Sequence, residues 1–175
     1  MTKPSALIMS NGKRHINPKK MGNKLNMRSI FRCMMEDGYY PTFEKTHILF
    51  SIDENTAVVE YEEGVISIRI FYSIQEEIYD YFLEVSNATM AETFIVKPVL
   101  LDDRKNIMFS FEMLCGTIRE FRKYFPLGIE RLTETIKKHK DEMKMLIITE
   151  KVSPATISAA EDTFITSSKG LKPLS

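Results

Sequence analysis

A chain of 175 residues is long enough for one domain with a substantial apolar core, and a composition of 43% hydrophobic and 27% charged residues excludes a disordered or fibrous protein. The formal net charge of zero argues against a protein that concentrates nucleic acid or anionic lipid by a strong overall field. The charges are nevertheless segregated, because residues 1–35 contain no carboxylate whereas residues 36–84 are acidic, with Lys45 and Arg69 as their basic residues.

The chain divides into three parts by composition. Residues 1–20 mix Pro, Gly, Asn and Ser with basic side chains and lack periodicity, so we expect a flexible basic arm. Residues 21–148 carry the regular patterns and are predicted to form a single domain. Residues 149–175 are rich in Ser and Thr and contain Pro154 and Pro173, which indicates a C-terminal tail.

The first regular pattern predicts a helix over residues 22–37. Its apolar residues recur at three- and four-residue spacing, and Gly38 follows where a left-handed helix cap is needed. The stripe consists of Met27, Ile30, Phe31, Met34 and Met35. The thioether side chains of such a stripe can repack against varied partners, although a Met-rich core stripe explains them better.

A strand-rich block follows. Residues 39–53 are rich in β-branched and aromatic residues, and residues 57–73 predict a hairpin with Glu63 and Gly64 as its two-residue loop. This loop sets a pairing of Tyr61 with Ile66, Val59 with Ile68 and Ala57 with Ile70. The apolar side chains then gather on one face, and the other face presents Val58, Arg69 and Phe71.

The remaining elements are predicted from caps and alternation. Ser73 and Glu76 form a capping-box pattern for a helix over residues 74–87, and residues 94–101 and 107–114 alternate as a second hairpin with Met108 on its outer side. Pro98 favours a sheet edge or a bulge for the first of these strands. A second capping box, Thr117 and Glu120, opens a last helix to about residue 148, and Pro126 and Gly128 are expected to interrupt it, giving a kinked or paired helix.

These elements predict an α+β fold. Its antiparallel sheet of about five strands is covered on one face by helices, in the order α-β-β-β-α-β-β-α.

The sequence lacks the usual catalytic patterns. Its glycines are too scattered for a phosphate-binding loop, and His15, His47 and His139 each lack a second ligand at helical spacing, so we expect no cofactor and no metal. Cys33 with His47, or Cys115 with His139, could pair in space, but packing explains both thiols better. The expected protein is therefore not an enzyme.

The expected location is cytoplasmic. Two cysteines in unrelated apolar segments favour reduced, buried thiols, and no stretch reaches the ~20 apolar residues that a membrane span requires. The apolar run of residues 6–9 is too short for a signal peptide.

Three stretches carry a resemblance to a known family. They are the helix that ends in Glu-Asp-Gly-Tyr-Tyr (36–40), the run from Ala57 to Ser73 before a helix, and Asn-Ile-Met-Phe-Ser-Phe-Glu-Met-Leu (106–114) before the last helix. In order and spacing, residues of about 21–147 resemble the YbjN-like domains, whose fold is shared with type III secretion chaperones. The resemblance implies a non-enzymatic domain that often forms dimers, and the chaperone branch holds an extended segment of a client protein.

The preferred hypothesis is a chaperone-like module that binds a protein or peptide and forms a homodimer, with no membrane contact. Its expected contact residues are Val58, Arg69, Phe71, Met108, Met34, Met35, Tyr39 and Tyr40. One alternative is an enzyme or small-ligand binder with a site around His47, Tyr61 and Glu44. Another is a nucleic-acid-associated regulator that uses the basic arm, although the arm lacks aromatic residues for base stacking.

Overall fold

Helices and strands follow one another in the computed structural model, which describes residues 25–93 and 95–149. The elements in this part of the chain are α1 (Met27–Glu36), β1 (Thr42–Glu44), β2 (His47–Ile52), β3 (Asn55–Glu62), β4 (Val65–Ser73), a 3-10 turn (Glu76–Ile78), α2 (Tyr79–Glu92), β5 (Val96–Leu100), β6 (Asn106–Leu114) and α3 (Ile118–Thr149). The expected arm, residues 1–20, and the expected tail beyond Thr149 lie outside the described residues.

The predicted α+β class is confirmed, with six strands in the described residues instead of about five. The strands are antiparallel neighbours in the order β1-β2-β3-β4-β6-β5. The additional strand arises because the chain turns sharply at Lys45, whose φ is 29°, so that β1 and β2 pair with each other. The order along the chain is therefore α-β-β-β-β-α-β-β-α.

The hairpin β3–β4 has the predicted register. Ala57 pairs with Ile70, Val59 with Ile68 and Tyr61 with Ile66. Glu63 and Gly64 both have positive φ, 49° and 88°, which matches the twist of a two-residue hairpin loop. Pro98 lies in β5, an edge strand as predicted, where the missing N–H disturbs no second neighbour.

The helices pack on one face of the sheet, here called the inner face. Phe31 of α1 meets Phe43 edge-on at 5.7 Å between ring centroids, and Phe125 of α3 lies 5.5 Å from Phe50. The side chains of the inner face are almost completely buried. They are Ile48, Phe50, Ala57, Val59, Ile66, Ile68, Ile70, Ile107 and Phe109. Burial of this set from water is the main source of stability.

The helix α3 is continuous from Ile118 to Thr149, so the alternative of two paired helices separated at Pro126 and Gly128 is wrong. Pro126 removes one backbone hydrogen bond, but the helix continues because Phe121, Phe125 and Leu132 are buried on its sheet-facing side. Gly128 allows close packing, since a Cβ built there would lie 2.5 Å from Cε1 of Phe111. A glycine that sequence rules treat as a helix breaker is here a contact point.

The helix starts confirm one predicted cap and overturn another. The backbone N–H groups of Thr117 and Glu120 donate to the side chains of Glu120 and Thr117, at 3.0 and 3.2 Å, as the capping-box pattern predicts. Ser73 makes no cap, because its hydroxyl donates across strands to Asn106 at 3.4 Å and α2 begins only at Tyr79.

The first helix begins at Met27, later than predicted. Asn26 and Ser29 cap its start reciprocally, each backbone N–H donating to the other side chain at 3.0 Å. At its other end, Gly38 has a φ of 84°, which confirms the predicted left-handed cap.

Candidate partner-binding surface

The sheet face turned away from the helices, here called the outer face, has a row of side chains across all six strands. Because residues paired in register lie on the same side of a sheet, the row is read directly from the pairing. It consists of Thr42, Leu49, Val58, Arg69, Ser110 and Lys97. Leu49 and Val58 are half-buried on this face.

A neighbouring row is apolar. Phe71 of β4 pairs with Met108 of β6, which pairs with Val99 of β5. Phe71 and Met108 are half-buried, and Val99 is 36% exposed. With Leu49 and Val58, these side chains make an apolar patch in the middle of the outer face.

A polar band borders the patch. Arg69 forms an ion pair and a hydrogen bond with Glu60. Ser67 and Ser110 are buried between longer neighbours, and their hydroxyls lie 3.5 Å from the carboxylates of Glu60 and Glu112. Because serine side chains are short, the polar band is lower than its surroundings, and the apolar patch lies beside it.

Four of the predicted contact residues therefore lie together on the outer face: Val58, Arg69, Phe71 and Met108. Leu49 and Val99 belong to the same patch and were missed by sequence reasoning. The alternation of β2, in which Ile48, Phe50 and Ile52 are buried, was the signal that could have placed Leu49 outside. The part that these residues play in binding stays a prediction.

The other four predicted residues lie at the helix layer, away from the outer face. Met34 is fully buried in the core, so its expected contact with a partner is wrong for this fold. Tyr39 is half-buried and packs edge-on against Phe50 and Phe125, at 5.9 and 5.3 Å.

Only two residues of that second set are exposed, Met35 at 49% and Tyr40 at 84%. The four residues thus form no continuous patch, because the helical period turns Met34 inward and Met35 outward.

The alternative site around His47, Tyr61 and Glu44 is not assembled. His47 Nε2 lies 3.8 Å from Glu44 Oε2. Tyr61 points to the inner face and packs against the core, since it pairs with Ile66. The three side chains do not converge on one point.

The two thiols are buried and have other neighbours than the histidines considered above. Burial and the adjacent carboxylate of Asp37 raise the pKa of Cys33 to about 11, and its Sγ lies 3.4 Å from Asp37 Oδ2. Burial also raises the pKa of Cys115, whose thiol contacts the carbonyl of Thr117. Both thiols are protonated at neutral pH, and a protonated thiol is a poor nucleophile.

The side chain of His139 belongs to the core. Its Nε2 lies 3.1 Å from Ser86 Oγ, and its ring stacks on Phe82 and meets Phe109 edge-on. Burial lowers the pKa of His139 to about 4, so the imidazole is neutral at pH 7. Within residues 25–93 and 95–149, no group of three or more His, Cys, Asp or Glu side chains is placed to hold a metal ion.

The helices were compared with the length and hydropathy of membrane spans. None of the helices in the described ranges combines the length and the apolar character that crossing a lipid bilayer requires.

Comparison with known proteins bears on the fold. No protein-family model and no curated protein matches the chain. Among solved structures, the chain is similar to that of YbjN, a proposed transcription regulator from E. coli, with a TM-score of 0.55 over 66% of this chain and 88% of that one. The chain has a YbjN-like fold. The sequence identity to YbjN is 13%, so this similarity speaks for the architecture alone, and the implied link to type III secretion chaperones stays a prediction.

Proposed function

We propose that this YbjN-like domain is a non-enzymatic module that forms a homodimer and binds a partner protein or peptide through its outer face. The observation that carries the proposal is the apolar patch around Val58, Phe71 and Met108, whose side chains are half-buried on the face of the sheet turned away from the three helices. Phe, Met and Arg are the side chains that protein interfaces favour at their centres.

Arg69 adds a directional contact to this patch. Glu60 holds its guanidinium in place, and its Nε is buried without a hydrogen-bond partner among the described residues. The side chain of Arg69 is 32% exposed, so its guanidinium can also donate to a carbonyl or carboxylate of a partner. The carboxylates of Glu60 and Glu112 on the same face favour a protein over a nucleic acid, whose phosphates they would repel.

The absence of catalysis is supported by the state of the reactive groups. The thiols of Cys33 and Cys115 are protonated, and His139 is enclosed by aromatic rings. General-base or nucleophilic catalysis needs such groups to be poised and accessible.

Capture from a lysate of the native cells, with the full chain as bait, tests the outer face. The double variant Val58→Ser with Met108→Ser removes apolar area there. The control, Met90→Ser with Leu127→Ser, removes exposed apolar area on α2 and α3, where these side chains are 44% and 50% exposed. We expect a stoichiometric partner with the wild type and the control, and its loss with the outer-face variant.

The proposal fails if no stoichiometric protein is recovered with the wild type, or if both double variants retain the partner equally. Light scattering tests the dimer separately, because a particle of one chain mass at micromolar concentration would contradict it.

A second candidate function is nucleic-acid-associated regulation. YbjN is described as a proposed transcription regulator, and the basic arm contains Lys13, Arg14, Lys19 and Lys20. Deletion of residues 1–20 should then abolish binding to duplex or single-stranded DNA, with a steep salt dependence before the deletion. Salt-independent or absent binding by the full chain would remove this candidate.

A further inference from the structure

A groove of about 640 Å³ lies between α2 and the last half of α3, on the helix layer and away from the outer face. Its apolar lining comes from Val85, Ala88, Met145 and Leu146. Met145 is 64% exposed in the described part of the chain, although it lies beside buried Val85. An apolar cleft with such an exposed methionine is a place where another apolar segment can be buried.

The position of the groove singles out one occupant. Its lining extends along α3 from Glu134 to Thr149, and residue 150 continues the chain from that same end. This stretch of helix is about 23 Å long at 1.5 Å per residue. The residues that follow Pro154 can span about 31 Å as a helix and more when extended, which is enough to cover that length after a turn near Pro154.

The sequence of this segment suits the lining. Ile157, Ala160 and Phe164 are spaced by three and four residues, which would put them on one side of a helix, and Ser153 with Pro154 is a typical helix-start pair. The segment carries as many basic as acidic residues, so its formal net charge is zero and its binding does not depend on a groove of opposite charge. The charges at the rim are partly paired already, since Lys138 contacts both Glu92 and Glu142.

We propose that residues 150–175 of the same chain fold back and cover this groove, with Ile157 and Phe164 against Val85, Ala88 and Met145. The direct covalent connection at Thr149 gives the segment a high effective concentration at the groove. The basic arm, residues 1–20, precedes α1 and has no such direct connection to the end of α3.

Oxidation of methionines by dilute peroxide, followed by mass spectrometry on the full chain, measures whether the groove is covered. Oxidation follows the exposure of the thioether. Met35 on α1, 49% exposed, is the internal standard. We expect Met145 to oxidise more slowly than Met35 in the wild type, although it is the more exposed of the two in the described residues.

The variant Phe164→Glu should raise the Met145 rate several-fold and leave the Met35 rate unchanged. Ser167→Glu, which adds the same charge nearby in the segment, is the matched control and should have no effect. Both substitutions lie outside the described core, and the Met35 rate reports whether the fold is kept.

Three results would overturn the proposal. Met145 could oxidise faster than Met35 in the wild type, which means an open groove. Deletion of residues 1–20, but not Phe164→Glu, could expose Met145, which assigns the groove to the arm. Protection that disappears on dilution would assign it to a second copy of the chain.

Discussion

The two faces of one sheet follow different rules in this protein. Val58 and Val59 are neighbours on β3, yet Val59 is fully buried under the helices whereas Val58 is half-exposed on the outer face. The inner face is apolar in every central strand, because it must pack against three helices. The outer face mixes Val58, Arg69 and Ser110 in a single row, which packing within the described domain does not require. The outer face is therefore the surface that we propose for partner binding.

The largest expected effect on stability concerns His139, a buried residue of α3. The pKa of His139 is lowered to about 4 by burial, from an ordinary value of 6.5. As pH falls from about 6.5 to about 4, the unfolded chain binds a proton that the folded chain excludes, so stability is lost over this window. The loss amounts to about 3 kcal/mol at pH 4.

Urea unfolding at pH 7 and pH 4 measures this loss. The variant His139→Leu should have a smaller decrease in stability between these pH values than the wild type. His47→Gln, a substitution at the outer side, serves as the control and should keep the wild-type decrease. An equal decrease in His139→Leu and wild type would contradict the assigned burial.

The next effect compares the two valines directly. Val59→Ala removes buried methyl groups from the inner face and should lower the free energy of unfolding by about 2 kcal/mol. Val58→Ala makes the same chemical change on the outer face and should cost below about 0.5 kcal/mol. Chemical denaturation of both variants checks the difference, and similar losses would mean that the outer face is covered.

A smaller effect is expected where α3 touches the inner face. Gly128→Ala gains about 1 kcal/mol of helix propensity, but its Cβ must displace the ring of Phe111, and such overpacking costs about 1–3 kcal/mol. We expect a net loss of about 1 kcal/mol in thermal or urea unfolding. Gly116→Ala, just before α3, is the control for a glycine with room for a Cβ, because its Cβ would meet only Glu120 Oε2 at 3.7 Å. A Gly128→Ala variant as stable as the control would show that the helix can move.

The smallest stability effect concerns the ion pair of the outer face. Arg69 and Glu60 are 32% and 41% exposed in their side chains, so Arg69→Met should change stability by below about 1 kcal/mol. Arg131→Met, which breaks the exposed pair with Glu134, is the control and should change it even less. Titration with the captured partner separates the two variants, since only Arg69→Met should weaken binding. Equal binding by both would remove Arg69 from the interface.

Local rules predicted the elements that depend on short-range geometry. The two-residue loop at Glu63 and Gly64, the cap at Thr117 and the edge position of Pro98 were all correct, because each depends on a few neighbouring residues. The rules failed where a distant contact outweighed a local preference. Ser73 of β4 contacts Asn106 of the neighbouring strand β6 instead of capping a helix. Gly128 lies within the continuous helix α3 and packs against Phe111.

The pattern of residues was sufficient to predict the class of the fold, the register of its central hairpin and the outer-face position of Val58, Arg69, Phe71 and Met108, because strand alternation separates two faces without knowledge of what covers them. The folded domain was needed to show that Met34 is core, that Tyr61 and His47 do not meet, and that α2 and α3 leave an apolar groove at Thr149. These features arise from packing between elements distant in the chain, and no local pattern contains that information.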